Sequence, residues 1–399
     1  MDIRELQQRY VKAPQAAALL KLLEDKKAEN VFLQGLMASA APLFFAAVAE
    51  KTARTFLFAL QDADEAGYFY HDLTQVLGTR NVLFFPSSYK RSVRYGQRDS
   101  ANEILRTEVL ARISAREAGS SAPLFIVSHP EALSELVVSK QRLDAQRLSL
   151  RVGGQVDITE VEHTLRSYGF EEVDYVYEPG QFAVRGSILD VYSFSCEYPY
   201  RIDFFGREID TIRTFEVQDQ LSKDKQNEAE IVPELATLTA EKISFLKFLP
   251  EDSVLVVKDF AYIHDVIDRV YREGFAKQAV AERLEGATEM EQKQILSELN
   301  KEASLLTAHR FTEEATRFRR VEFGMNAGKT AADVRKDTSK YSVLKFNITP
   351  QPLFHKNFDL LVDTFEDYML KGYQLYILAD SERQTQRLKD IFADMDSPK

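Results

Sequence analysis

Cysteine is nearly absent from this 399-residue chain: Cys196 stands alone, which excludes an internal disulfide framework and a zinc site built on cysteines. Long apolar runs are missing as well. The most apolar stretch, residues 40–48, is too short to span a bilayer, and the opening Met1-Asp2-Ile3-Arg4-Glu5 has no basic-then-apolar signal region. No membrane partner and a cytoplasmic location are expected. Positive charge is in deficit, with 51 Lys and Arg against 62 Asp and Glu and a formal net charge of −11. Phosphate backbones need clustered positive surface, so wide, nonspecific coating of DNA is disfavoured. One basic segment, Lys90-Arg91-Ser92-Val93-Arg94-Tyr95-Gly96-Gln97-Arg98, reads as a solvated loop; a nucleic-acid contact is the alternative, without an aromatic platform to accompany it. The histidines, His71, His129, His163, His264, His309 and His355, are scattered without metal-ligand spacing, so no metal site is expected. There is no Gly-x-Ser-x-Gly turn, and Ser128-His129 after a strand therefore reads as a helix start rather than hydrolase chemistry.

What is present is ordinary globular chemistry, 45% hydrophobic and 28% charged, enough chain for two to four domains. Residues 4–28 read as amphipathic helix. Apolar strands at 30–35, 55–60, 82–86 and 124–128 alternate with helices at 38–52, after Gln61-Asp62-Ala63-Asp64, and at 100–116. Continuously apolar strands are buried on both faces, which implies a mostly parallel sheet covered by helices. From residue 151 the pattern changes to an α+β insert. It has a helix at 157–168 and short strands at 174–177, 181–184, 188–192, 201–205 and 208–215, punctuated by Pro179-Gly180, Arg185-Gly186 and a tight Phe205-Gly206-Arg207 turn. Residues 223–230 read as a polar linker. The α/β pattern resumes with a strand at 253–257 and helices at 262–273 and from 276 to about 309. A last unit follows: helix 357–370, strand 373–378 and a helix from Ser381. Ending there, the chain reads as a piece of something longer. The expected division is 1–150 and 236–350 as one split α/β domain, 151–235 as the insert, and 351–399 as the start of a further α/β domain.

Strand, glycine and helix at residues 30–50 mark the place of a P-loop. Such a loop needs glycines so that backbone N–H groups can wrap phosphate, a lysine for the β/γ-phosphates and a hydroxyl for magnesium. Registered on Gly35, the second glycine falls on Ala38, the lysine on Ala41 and the Ser/Thr on Pro42, and no lysine lies between Lys27 and Lys51. An Asp-Glu pair would complete a nucleotide site after a later buried strand, where this chain has Lys258-Asp259. A lysine there adds a positive charge where magnesium would need a carboxylate. No catalytic residue and no cofactor are expected for this region.

Two stretches carry a longer signature: Glu178-Pro179-Gly180-Gln181-Phe182-Ala183-Val184-Arg185-Gly186-Ser187-Ile188-Leu189-Asp190-Val191-Tyr192, and Tyr200-Arg201-Ile202-Asp203-Phe204-Phe205-Gly206-Arg207-Glu208-Ile209-Asp210-Thr211-Ile212-Arg213-Thr214-Phe215. This signature resembles one shared by the excision-repair helicase UvrB and the N-terminal part of bacterial transcription-repair coupling factors. The altered nucleotide motifs, and a short segment at 86–96 where UvrB inserts a long aromatic hairpin, resemble the coupling factors. The resemblance implies a degenerate P-loop, RecA/helicase-like domain split by the insert. It further implies that the region recruits UvrA without turning over ATP. Contacts to RNA polymerase and DNA, and an ATP- and Mg-dependent motor, would reside in C-terminal modules of the full-length protein, one of which would mask the docking surface until polymerase is bound. An active UvrB-like helicase and a direct DNA-binding module are the alternatives.

Within the insert, UvrB uses arginines of an Arg-x-Arg-Gly element. Here the second is kept as Arg185, before Gly186, and the first is Ala183; a further upstream arginine falls at Glu172. Arg185 suits bidentate pairing with a partner carboxylate. Phe182 is named with it as a docking residue, although the odd spacing puts the two on opposite faces of a strand. Taken singly, Phe182, Phe204 and Phe205 each read more readily as core, and Asp203 and Glu208 as cross-strand partners of Arg201 or Arg213.

Overall fold

The computed structural model describes residues 3–25, 30–89, 99–116, 122–235, 241–273, 284–298, 304–328, 341–350, 357–379 and 381–395. The basic segment at 90–98 lies outside them, as do residues 276–283 and 299–303 of the helical stretch expected from 276 to about 309; the described part of that stretch holds the helix Glu289–Glu298 and the start of the helix Ala308–Ala315. The chain divides into two compact units, Met1–Phe346 and Asn347–Lys399.

Seventeen strands are numbered along the described chain. The first four are β1 (Asn30–Gln34), β2 (Thr55–Ala59), β3 (Val82–Phe85) and β4 (Leu124–Ser128). Much later come β15 (Val254–Val257), β16 (Arg319–Gly324) and β17 (Tyr341–Lys345). These seven form one sheet in the order β17-β1-β16-β15-β2-β4-β3, with every neighbouring pair parallel. Strands β2, β4 and β15 are buried at every residue, as their unbroken apolar sequence requires. Helix α3 (Ala40–Ala49) is apolar on all sides and buried from Ala41 to Ala49; a helix of that kind belongs inside a fold. Its Phe45 meets Phe58 at 5.0 Å and Phe323 at 5.7 Å, both edge-on.

The helix expected over 4–28 is two helices, α1 (Ile3–Val11) and α2 (Pro14–Glu24). Pro14 sits in the first turn of α2, where its missing N–H is harmless, but it cannot continue α1. Helix α4 (Ala63–Leu77) starts on Asp62, whose side chain accepts the Glu65 N–H at 2.9 Å. Ser128 does not start a helix: it is the last residue of β4, its Oγ donates to the Phe85 carbonyl at 2.8 Å, and His129 is the cap of the short helix Pro130–Leu133. Two small ladders follow from the same part of the chain. One pairs β5 (Val137–Val138) with β14 (Lys242–Ile243), and the other pairs β6 (Leu148–Arg151) with β13 (Glu228–Ile231).

The second large sheet is mixed. It contains β7 (Glu171–Glu172), β8 (Gln181–Arg185), β9 (Ile188–Val191), β10 (Tyr200–Phe205), β11 (Glu208–Phe215) and β12 (Ser222–Gln226), in the order β12-β11-β10-β9-β8-β7. All neighbours are antiparallel except β7 and β8. One face packs Phe182, Leu189, Val191, Ile202, Phe204, Ile209 and Ile212 onto Val161 and Leu165, which come from the helix Ile158–Ser167 capped by Asp157. The other face carries a small cluster of Val176, Ala183 and Phe215. Residues 174–177, expected as a strand, form none. Residues 223–230, expected as a linker, contribute instead to two strands, β12 and β13. Strand β12 is exposed at every residue, and an edge strand with solvent on both sides has the composition of a loop.

In the second unit, helix Phe358–Leu370 is capped by Asn357, and a second helix runs Glu382–Met395. Phe365 and Phe392 meet at 6.1 Å. Residues 373–378, expected as a strand, belong to no strand among the described residues; an apolar run becomes a strand only where a neighbouring strand completes its ladder. No helix among the described residues is long and apolar enough to cross a membrane.

Candidate docking surface and the altered nucleotide position

Asp190 lies in the middle of the mixed sheet with 0% of its side chain exposed, between two arginines. The register aligns Ala183, Asp190, Arg201 and Arg213 across four strands. Arg201 binds Asp190 with two parallel hydrogen bonds, from Nε to Oδ1 at 2.8 Å and from one terminal nitrogen to Oδ2 at 2.9 Å. That pairing holds the Arg201 guanidinium above its ordinary pKa. Arg185 also donates to Asp190 Oδ2, and its other terminal nitrogen donates to the Asp174 carbonyl at 2.9 Å. Its guanidinium lies 5.2 Å from the centre of the Tyr175 ring.

The electrostatics follow from counting. Two guanidinium groups share one carboxylate, so the trio carries one surplus positive charge. Arg201 is 15% exposed and Arg185 37% exposed, so that surplus is presented to solvent through Arg185. The ring of Tyr175 and the Asp174 carbonyl hold the guanidinium in one place, and a charged group restrained in this way loses less freedom on pairing than a free side chain.

Phe182, expected beside Arg185 in a docking role, is fully buried with the Arg166 guanidinium 5.5 Å from its ring centre. It belongs to the domain's own core and is out of a partner's reach. Gly186, with φ +63, lies in the exposed turn between β8 and β9. Glu172 is ion-paired to Arg166 at 2.7 Å, so that corner of the sheet has a cation after all, supplied by the helix beside it. Phe204 is buried, but Phe205 is 84% exposed, contrary to its reading as core. Asp203 and Glu208 do not take Arg201 as partner: Asp203 accepts from Ser187 Oγ at 3.1 Å and Glu208 from Gln155 at 3.4 Å. Asp190 and Tyr175 had no sequence signal of their own.

At the carboxyl-terminal ends of the parallel strands, the loop after β1 runs Gly35-Leu36-Met37-Ala38-Ser39 into α3. Gly35 has φ +87, and a Cβ there would stand 2.4 Å from the Phe346 carbonyl oxygen. Ala38 has φ 48, a left-handed backbone on a residue with a side chain. Ala41 and Pro42 are both buried. After β15, the Lys258 ammonium is paired with Glu65, and Asp259 Oδ1 accepts the Tyr262 N–H at 3.0 Å, at the start of the helix Phe260–Glu273. The groups at both positions are therefore engaged within the fold. Strand β16 lies between β1 and β15, and the groups at their ends converge on one edge of the sheet, the edge where open α/β sheets bind ligands.

The family model described as "UvrB interaction domain" matches residues 148–236, which contain the whole mixed sheet. A transcription-repair-coupling factor of Bacillus subtilis is 25% identical over 437 aligned residues, covering 91% of this chain and 34% of the relative. One from Staphylococcus aureus strain USA300 is 21% identical, covering 92% of this chain and 35% of the relative. One from Haemophilus influenzae is 29% identical over 157 residues, 39% of this chain and 13% of the relative. The chain spans about a third of the length of the Bacillus and Staphylococcus relatives that it matches along most of its length. The resemblance carried by the two signature stretches thus holds: the chain has a match to the UvrB interaction domain over residues 148–236 and is similar, along nine-tenths of its length, to the N-terminal region of transcription-repair-coupling factors.

Proposed function

We propose that this chain is the non-catalytic, UvrB-like region of a transcription-repair coupling factor, and that it recruits UvrA in nucleotide excision repair. The observation that carries the reading is the surplus positive charge held at Arg185 by the shared Asp190, inside the stretch that matches the UvrB interaction domain. The mechanism is mimicry: the mixed sheet offers UvrA the kind of surface that UvrB offers, with Arg185 as the polar anchor and Gly186 letting a partner approach the turn closely.

The parallel sheet is, in this reading, a RecA/helicase-like domain whose nucleotide position has been given over to structure. Three features support that: Ala41 and Pro42 buried where a lysine and a hydroxyl would be needed, Lys258 paired with Glu65, and Asp259 used as a helix cap. Residues 1–150 and 236–350 form this domain, 151–235 the docking insert, and 351–399 belong to a further domain. This region takes no cofactor. ATP and magnesium serve a motor elsewhere in the full-length protein, as do RNA polymerase and DNA contacts, and another module of that protein masks the docking surface until polymerase is bound. The setting is cytoplasmic.

Titration calorimetry of the chain with UvrA, ATP omitted, tests the reading. Micromolar or tighter binding is expected, weakened at least tenfold (about 1.4 kcal/mol) in Arg185→Ala. Binding that ignores the substitution discards Arg185 as the anchor; absence of binding discards recruitment by this region.

A further inference from the structure

A cleft of about 1060 Å³ opens on the amino-terminal edge of the parallel sheet, the edge opposite the loop after β1. Its walls come from residues 51–54, which lead into β2, from residues 250–252, which lead into β15, and from the end of the helix Ser100–Ala115. The buried side chains of Leu23, Ile113 and Phe248 also line it. Among the described residues it gathers six cations, Lys51, Arg54, Arg116, Lys140, Lys247 and Arg317, against three carboxylates, Glu24, Glu251 and Asp252. In a chain whose net charge is −11, such a local surplus runs against the composition.

Most of that charge is uncancelled. Arg54 donates to the Asp252 carbonyl at 3.1 Å, and Arg116 donates to the carbonyls of Ala53 and Ala122. A carbonyl fixes a guanidinium in place and leaves its charge intact. Lys51 and Lys140 are exposed and have no ion pair among the described residues. Lys247 and Arg317 do meet carboxylates, Glu314 at 3.6 Å and Glu251 at 3.8 Å. Burial pulls Arg116 below its ordinary pKa, and Asp252 opposes this only in part. Arg319, at the start of β16, is pulled down by burial and by the charge of Arg54. Cations are thus held together here at a cost that a bound anion would offset.

Size and charge together select the ligand. Small-molecule sites run to roughly 300–1,000 Å³, and this cleft is of that order. Four cations without a carboxylate call for several negative charges in a small space. A phosphate chain supplies them, and guanidinium groups pair with phosphate through two parallel hydrogen bonds. A peptide carries its carboxylates farther apart, and a long nucleic acid would run past the cleft onto a chain of its own sign. We propose that the cleft binds a compact polyphosphate, either the phosphate chain of a free nucleotide or an inorganic one. Arg54 and Arg116 are its fixed contacts, and Lys51 and Lys140 close on it from solvent. The site is separate from the altered nucleotide position and from the mixed sheet, and it does not depend on the recruitment reading.

The test is titration calorimetry of the chain at low salt, with EDTA present, against sodium tripolyphosphate, ATP and a single-stranded DNA oligonucleotide. Tripolyphosphate is expected to bind with a Kd of about 1 mM or tighter. Lys51→Gln and Lys140→Gln remove exposed charges without disturbing the fold, which circular dichroism checks, and each should weaken binding about threefold. Lys225→Gln, on the exposed strand β12, is the control and should leave binding unchanged. ATP that binds as tripolyphosphate does makes the phosphate chain the whole determinant; ATP that binds more tightly, with the same losses in the variants, makes a nucleotide the source. Failure of both phosphates to bind overturns the site, as does binding that ignores Lys51 and Lys140 or falls equally in Lys225→Gln. An oligonucleotide that binds more tightly than either, and is lost in the same variants, also refutes a compact ligand.

Discussion

Glu322 is a carboxyl group set among apolar strands, 5% exposed, on the strand that separates β1 from β15. Burial pushes its pKa up from 4.5 to about 7; Arg320 and the Phe260 N–H pull it down, and Asp259 pushes it further up. In the folded chain the proton is held until near neutrality, whereas the unfolded chain releases it near the ordinary glutamate value. Between those two pH values the folded state binds more protons, so its stability falls as pH rises. The contribution is complete below the unfolded pKa and gone once pH has passed through about 7. At ~1.4 kcal/mol for each pH unit separating the two values, it amounts to roughly 3 kcal/mol. Glu322→Gln keeps the shape and removes the titration. Near pH 8 the variant is expected to be more stable than the parent by roughly 2–3 kcal/mol, and near pH 4.5 the two should agree to within about 1 kcal/mol. The assay is amide hydrogen exchange read by mass spectrometry on peptides containing β15 and β16, from pH 4.5 to 8, because it reports the opening of that sheet alone. A parent whose opening free energy stays flat or rises over this range, or a glutamine variant that follows the parent, refutes the reasoning.

Two further substitutions test the arginine–aspartate trio and the loop between β1 and α3. Asp190→Asn removes the one anion between Arg185 and Arg201 and leaves a largely buried guanidinium uncompensated; a loss of about 3–5 kcal/mol is expected, seen as faster exchange in peptides spanning β8 to β11 with those of the parallel sheet unchanged. Ala38→Gly relieves a left-handed alanine whose side chain is exposed; a gain of roughly 0.5–1 kcal/mol is expected, measured as a rise in the thermal midpoint by circular dichroism, and a fall would show that the alanine is unstrained.

How far the sequence carried depended on what decides each element. Strands β2, β4 and β15 were legible because burial on both faces demands an apolar run, and the run is local. Strand β16 begins with two arginines and includes Glu322, and β12 reads Ser-Lys-Asp-Lys-Gln; each is a strand because of the neighbour it pairs with, which no local pattern records. Residues 373–378 show the converse, an apolar run that joins no strand ladder among the described residues. Arg185 was singled out through its motif, but its pairing with Asp190 was not foreseen. Asp190 was not singled out, since its role comes from arginines on the two neighbouring strands, one just before it in a hairpin and one on the strand after. Phe205 could have been read: two consecutive aromatics on one strand cannot both enter the same core, and the residue beside the Gly206 turn was the better candidate for the outside.

Strand β12 leaves one side of the mixed sheet with open backbone hydrogen-bonding groups, the usual invitation for another chain to add a strand. Its exposed lysines, Lys223 and Lys225, place ammonium groups along that border, and Lys223 is drawn over the Tyr198 ring at 3.6 Å. A second copy of the same edge would bring like charges together. Growth of the sheet by self-association is thereby discouraged: the composition of the strand that makes this edge also protects it.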